Sequence, residues 1–194
     1  ELGLESEIPY DSLAVLQENI QIMRDVVITL TAVARAKGLG GHTGGPYDIV
    51  PEVLNIDALR EGGASIHNEF FDEAGHRSAL QYARAALNGK LPLEKLLQYR
   101  EHAAGLAGHP ECDLLDCVDF STGRLGHAAG HVNGVAMANP KKAIIMFGSD
   151  GSQMEGMSLS VDEKLKIAEN TIEKNLYSAA VESKIEPNVI IEFA

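Results

Sequence analysis

Three histidines sit in glycine-flanked loops: Gly41-His42-Thr43-Gly44, Gly75-His76-Arg77 and Gly108-His109-Pro110. Imidazoles titrate near neutrality, so they suit proton transfer and hydrogen bonding to hydroxyl or phosphate oxygens. The glycines leave each ring accessible and let a ligand approach the backbone. A single loop histidine is usually solvated and idle. Three in the same setting point to a polyhydroxylated or phosphorylated ligand. They do not read as a zinc site, because these loops hold no short pair of metal-ligand spacing. His127 and His131 are an i, i+4 pair, but no Glu follows His127 as in a zinc-protease helix, so they read as face or core residues.

The second centre is the turn Gly148-Ser149-Asp150-Gly151. It follows a strand-like run and opens a helix. Such a turn sets backbone N–H groups and a positive helix end at the carboxyl edge of a sheet, where phosphates bind in α/β folds. The Asp150 carboxylate suits Mg²⁺ bridging to a diphosphate. The plain alternative is a connecting turn with Asp150 as the helix cap. Asp72 and Glu73, just ahead of His76 and Arg77, read as local ion-pairing or capping groups. Cys112 and Cys117 have C-x4-C spacing, not the redox C-x2-C, and read as inert thiols.

These residues need a scaffold to place them. The spacing of Leu13, Leu16, Ile20, Val27 and Leu30 predicts a helix over 11–37, with Asp11 as its cap and Gly38 after its end. The glycines and Pro46 make 38–46 a loop. Helices are expected at 47–59, 78–88, 92–103 and 125–138, and the last carries small residues on several sides. Residues 142–148 (KAIIMFG) form the best strand, apolar throughout and expected to be buried on both faces. Ser152 and Glu155 fit a capping box, and Ser160 and Glu163 fit another. Residues 188–193 (NVIIEF) read as a second buried strand. Strand, turn, helix and strand make a βαβ unit. The fold class is therefore α/β, a parallel sheet flanked by helices.

Composition sets the bounds. The 194 residues include 28 acids and 16 bases, a net charge of −12. That disfavours nucleic acids and anionic membranes, which need a positive field. An anionic ligand must then be held by helix ends, a metal or a few histidines. Two Cys cannot build a disulfide framework and read as reduced thiols of a cytoplasmic protein. The longest apolar stretch, 26–34, is far below the ~20 residues of a membrane span. The chain opens without Met and stops straight after a strand-like run, so both ends read as cut.

Taken in order, five segments resemble the N-terminal, diphosphate-binding domain of transketolases: GGHTGG (40–45), FFDEAGHRSALQYA (70–83), LAGHPE (106–111), FSTGRLGHAAGHVNGVAMA (120–138) and GSDGSQMEG (148–156). The resemblance runs from about Gln17 to Gly156. It implies a thiamine diphosphate-binding fold spanning 1–194 as one domain, incomplete at its carboxyl end. It implies Asp150 as Mg²⁺ ligand, Gly151 against the diphosphate, and His76 at the phosphate region. His42 and His109 would line the substrate channel. Gly123 would meet the aminopyrimidine through its backbone, Leu125 would pack on the thiazolium, and Glu155 would sit at a subunit interface. The implied reaction is transfer of a two-carbon ketol unit between sugar phosphates. The implied partner is a pyrimidine-binding subunit or domain, in a homo- or hetero-oligomer.

Three departures from the family pattern carry their own expectations. Arg124 and His127 stand where transketolases usually have Pro and Gln, and a cation there would meet a different substrate group. Ser149 precedes Asp150 where Gly-Asp-Gly is the commonest pattern. The second Mg²⁺ ligand of the family, an Asn about thirty residues on, has no clear match. Asn175 falls in an expected helix and Asn188 begins a strand. Two rivals therefore stand beside the transketolase reading: a thiamine-dependent enzyme using a different keto donor, and an inactive binding or assembly module.

Overall fold

The computed structural model describes residues 10–152 and residue 154. Its longest element is α1 (Tyr10–Ala36). Met23, Val27, Leu30 and Ala34 recur at helical spacing and are buried, so this stripe faces the core. Leu13 lies on the exposed side, and Asp11 sits inside the helix, not ahead of it. Gly38 ends α1 with φ +77°. Its N–H bonds to the Arg35 carbonyl and that of Leu39 to Ala34, both at 2.9 Å. This paired closure needs a left-handed residue, which glycine adopts without a Cβ clash.

Helical structure resumes earlier than expected. α2 (Gly44–Asp48) begins within the glycine loop, because Pro46 is buried in its first turn and its fixed φ suits that place. α3 (Val50–Glu61) follows after a break at Ile49. Pro51 has no N–H to continue the α2 hydrogen-bond pattern, so the expected helix over 47–59 is two.

The central helix is α4 (Ser78–Leu87), where seven of ten residues are buried. It packs against α1, α2 and the short α5 (Leu93–Leu96). The expected helix over 92–103 is cut to these four residues. Arg100 turns the chain with φ +67°, and its N–H bonds to the Leu106 carbonyl. A 3₁₀ turn, His102–Ala104, completes that segment. α6 (Ala128–Ala138) starts three residues later than expected, because Gly126 has φ +81°, which no right-handed helix accepts.

The sheet is parallel, as expected. β1 (Phe71–Asp72) pairs with β2 (Met146–Phe147), Phe71 opposite Met146 and Asp72 opposite Phe147. A further parallel bridge joins Ile66 to Ala143. Met146 and Phe147 are only half-buried, not enclosed on both faces, because among the described residues β1 is their sole strand partner. The second expected strand (188–193), the helix before it and the Ser160–Glu163 box lie outside the described residues. With helices packed around a parallel pair, the molecule is α/β. No helix among the described residues is long and apolar enough to cross a membrane.

Candidate functional site

Both strands run out toward the same edge, and the chemistry-bearing segments follow their carboxyl ends. After β1 the chain passes through Asp72, Glu73 and a 3₁₀ turn (Gly75–Arg77) into α4. After β2 it enters Gly148–Asp150 and turns helical from residue 150. The Glu73 N–H bonds to the Phe147 carbonyl at 2.9 Å, which carries the pairing one residue past β1.

The three loop histidines converge here. His42 and His76 meet edge to face, with ring centroids 5.2 Å apart. Gly45 is pressed against the same ring, since a Cβ there would lie 3.1 Å from His76 Nε2. His76 titrates below the usual histidine range. Burial is the main cause, reinforced by His42, Arg77 and His109 and opposed by Asp72. Neutral imidazole is therefore its resting form near pH 7. The His109 loop is carried by α4. Tyr82 donates its hydroxyl to the Ala107 carbonyl at 2.8 Å and Ser78 donates to the Gly108 carbonyl at 2.9 Å.

Gly123 joins these loops. Its φ is +113°, and a Cβ would stand 2.7 Å from His109 Nδ1, closer than packed atoms tolerate. From the other side, a Cβ on Gly75 would stand 3.0 Å from the Gly123 Cα. Only glycine at both positions lets the His76, His109 and Gly123 segments touch. Leu125 reaches the remaining segment, its Cδ1 lying 3.6 Å from where a Gly151 Cβ would stand. The structure thus draws His42, His76, His109, Gly123, Leu125 and Gly151 into one neighbourhood, with Asp150 beside Gly151.

The helix at 150 begins differently from expectation. Ser149 and Ser152 form the capping box: the Ser152 N–H donates to Ser149 Oγ and the Ser149 N–H to Ser152 Oγ, each at 3.2 Å. The start therefore lies three residues before the expected Ser152–Glu155 box, and Glu155 is outside the described residues. Because Ser149 is the cap, the exposed Asp150 carboxylate is not committed to capping. Its Oδ1 accepts the Gly151 N–H at 2.9 Å.

Asp72 and Glu73 do pair and cap: Asp72 locally, as the sequence suggests, and Glu73 at longer range. With Arg77 they are the buried charged side chains among the described residues. Asp72 Oδ1 meets Arg77 Nη2 at 2.6 Å. Burial pushes the Asp72 carboxyl above its usual range, while Arg77 pulls it back. Glu73 accepts the Ala128 N–H at 2.9 Å, so it caps α6 from 55 residues away. Sequence reasoning missed the second bond of Arg77, whose Nη2 also donates to the Gly148 carbonyl at 2.9 Å. An arginine five residues after the strand-end acid Asp72 was the available signal.

A cavity of about 330 Å³ opens beside this centre, with Glu73, Glu111, Thr122, Gly123, Arg124 and His127 in its wall. Arg124 and His127, two of the residues that depart from the family pattern, therefore border the site. His131 also lines the cavity and packs on Phe71 and Phe120, as a face residue should. Cys112 is exposed and Cys117 half-buried, both as free thiols. Burial raises the Cys117 pKa, which fits an inert thiol. Among the described residues no three His, Cys, Asp or Glu side chains are grouped to hold a metal unaided.

Comparison with known proteins agrees with this geometry. Residues 17–163 match the family model described as "Transketolase, thiamine diphosphate binding domain". The transketolase of Staphylococcus epidermidis is 30% identical over 161 residues, covering 73% of this chain and 24% of that protein. The Staphylococcus aureus transketolase is 29% identical over the same length, with the same shares. A chromosomal transketolase of Cupriavidus necator is 34% identical over 148 residues, 66% of this chain and 22% of that protein. The matched region thus spans about a quarter of each relative, 24%, 24% and 22% respectively.

Proposed function

The chain belongs to the transketolase family, and on that premise we propose that it is the diphosphate-binding half of a thiamine diphosphate- and Mg²⁺-dependent enzyme. The reaction is transfer of a two-carbon ketol unit between sugar phosphates. One observation carries the reading: three histidines, two glycines that exclude a Cβ, and the helix start at Asp150 meet at the carboxyl edge of a parallel sheet.

The residues present fit the cofactor. Mg²⁺ takes one or two carboxylates and completes its shell with phosphate oxygens and waters. A single exposed carboxylate, Asp150, at a helix start matches that need. It also matches the absence of a self-sufficient metal cluster among the described residues. Asn175 and Asn188 lie outside the described residues. Thiamine diphosphate supplies the carbanion chemistry when bound. The chain's own residues then have distinct tasks. Gly151, at the positive start of the helix, lets the diphosphate approach closely, and Leu125 offers an apolar face beside it. Gly123 lets the cofactor's ring approach the backbone. His76, held neutral, donates or accepts one hydrogen bond at the phosphate end. The exposed His42 and His109 exchange protons with sugar hydroxyls.

The partner is a pyrimidine-binding subunit or domain, and α6 is its contact. Its sequence is AAGHVNGVAMA, yet only Ala128 and Val132 are buried, and Met137 is 84% exposed. The isolated chain should show no turnover. Calorimetry with thiamine diphosphate and Mg²⁺ tests the reading. Mg²⁺-dependent binding, strengthened by the partner and lost in Asp150→Ala, supports it. No binding under any condition sinks it and leaves a binding or assembly module. A second reading keeps the cofactor but changes the keto donor. Arg124 and His127 in the cavity wall favour it. Donor preference that shifts in Arg124→Pro would decide for it.

A further inference from the structure

The buried Asp72–Arg77 pair does something that burial energetics does not explain. Asp72 has no exposed surface and Arg77 is 6% exposed. Asp72 Oδ2 and Arg77 Nε are both buried without a hydrogen-bond partner among the described residues. A buried ion pair with unmet polar atoms is a poor source of stability, and an apolar pair of similar volume often does as well or better. What the pair does supply is geometry. Asp72 Oδ1 collects Arg77 Nη2 at 2.6 Å and the Ala74 N–H at 3.1 Å, which fixes the guanidinium against the strand end. The same Nη2 then donates to the Gly148 carbonyl at 2.9 Å.

The sheet explains why that carbonyl matters. Strand pairing ends at Asp72 and Phe147, and the last rung is Glu73 N–H to Phe147 carbonyl. β1 then turns away into the 3₁₀ segment, and the Gly148 carbonyl, one residue past the last rung, lies outside the ladder. Arg77 reaches it from a side chain. Nothing lies within 4 Å of where a Gly148 Cβ would be, so that side of the residue faces open space. Two residues on is Asp150.

We propose that Arg77, held by Asp72, is a positioning residue: it clamps the Gly148–Ser152 turn at a set distance from the neighbouring His76, so that the two sides of a diphosphate-Mg²⁺ site are fixed by one side chain. The role in cofactor binding rests on the function proposed above. The clamp itself does not.

The test uses Asp72→Leu/Arg77→Met, which removes both charges and keeps apolar volume, with Arg77→Lys as the conservative partner. Amide hydrogen exchange is read without cofactor. The Mg²⁺ concentration for half-maximal thiamine diphosphate binding is read with it. The double variant should melt near the wild-type temperature, with α1 amides unchanged. Amides of Ser149–Ser152 should exchange about tenfold faster. The Mg²⁺ requirement should rise about 10- to 100-fold, as when an outer-shell partner of a metal ligand is lost. Arg77→Lys should restore part of both effects, since one ammonium can meet either the carboxylate or the carbonyl. A melting temperature that holds while neither quantity moves overturns the clamp. A double variant that does not fold passes the same two readouts to Arg77→Lys, where no change in either also overturns it. Should the wild type bind no cofactor at all, the proposed function fails, and exchange at 149–152 alone decides the clamp.

Discussion

Replacing Gly123 with Ala should strike the joint between three loops, and its size can be worked from the geometry. At φ +113° an alanine is strained, at a cost of about 1–3 kcal/mol. Its Cβ would stand 2.7 Å from His109 Nδ1 and 3.3 Å from Cγ, so the ring must also move. His109 is exposed and can swing, so this part is worth about 0.5–1.5 kcal/mol, the price of a distorted rotamer. Against them stands about 0.4–1 kcal/mol gained because alanine restricts the unfolded chain. The net loss is about 0.5–4 kcal/mol. At 2–4 °C per kcal/mol for a chain of this size, the melting temperature should fall by about 1–16 °C. The assay is thermal unfolding by circular dichroism, with Gly134→Ala in α6 as control. Nothing lies within 4 Å of a Gly134 Cβ, so that helix substitution should stabilise by about 0.5–1 kcal/mol. If Gly123→Ala melts at or above the wild-type temperature, the three loops are not in contact through this residue.

Two further outcomes follow from the buried charges and the histidine cluster. Glu73→Ala should cost about 1–2 kcal/mol, the value of a helix N-cap, and should speed exchange first at the amino end of α6. Glu73→Gln, which keeps an acceptor oxygen, should lose less, and equal losses in both would show that the Ala128 bond contributes nothing. His76 should titrate below its usual midpoint by NMR, and His42→Ala should raise that midpoint without restoring it fully, because burial outweighs the His42 charge. The sign for stability follows from linkage. With the folded pKa depressed below the unfolded one, the His76 contribution is complete above about pH 6.5 and is lost as pH falls through that window. A His76 midpoint at or above the free value would refute the buried, histidine-flanked setting.

Local signals were fully present in the chain. The apolar stripe of α1, the glycine after it, the parallel character of the 142–148 run and the three Gly-His loops are short-range patterns, and each led to the element or cluster found. Errors arose where a single residue's backbone overrode a pattern. Arg100 and Gly126 adopt positive φ, and this cut one expected helix and delayed another. Ser149 took the cap that the Ser152–Glu155 spacing had suggested, pairing with Ser152, a serine where the sequence rule wants Glu or Gln.

What sequence determined by itself was the inventory: α/β class, the family resemblance, and the histidines, glycines and aspartate proposed for the site. Tertiary structure decided how they are held. Arg77 reaches a carbonyl 71 residues away and Glu73 a helix start 55 residues away. Neither bond has a local signature, because a side chain's partner at that range is set by where the parallel strands end, not by its neighbours in the chain. Asp72 kept the short-range pairing read for it, and Glu73 became a long-range strut. The Gly148 carbonyl takes a side-chain donor and the Ala128 N–H a side-chain acceptor, because buried backbone must find partners wherever the fold brings them.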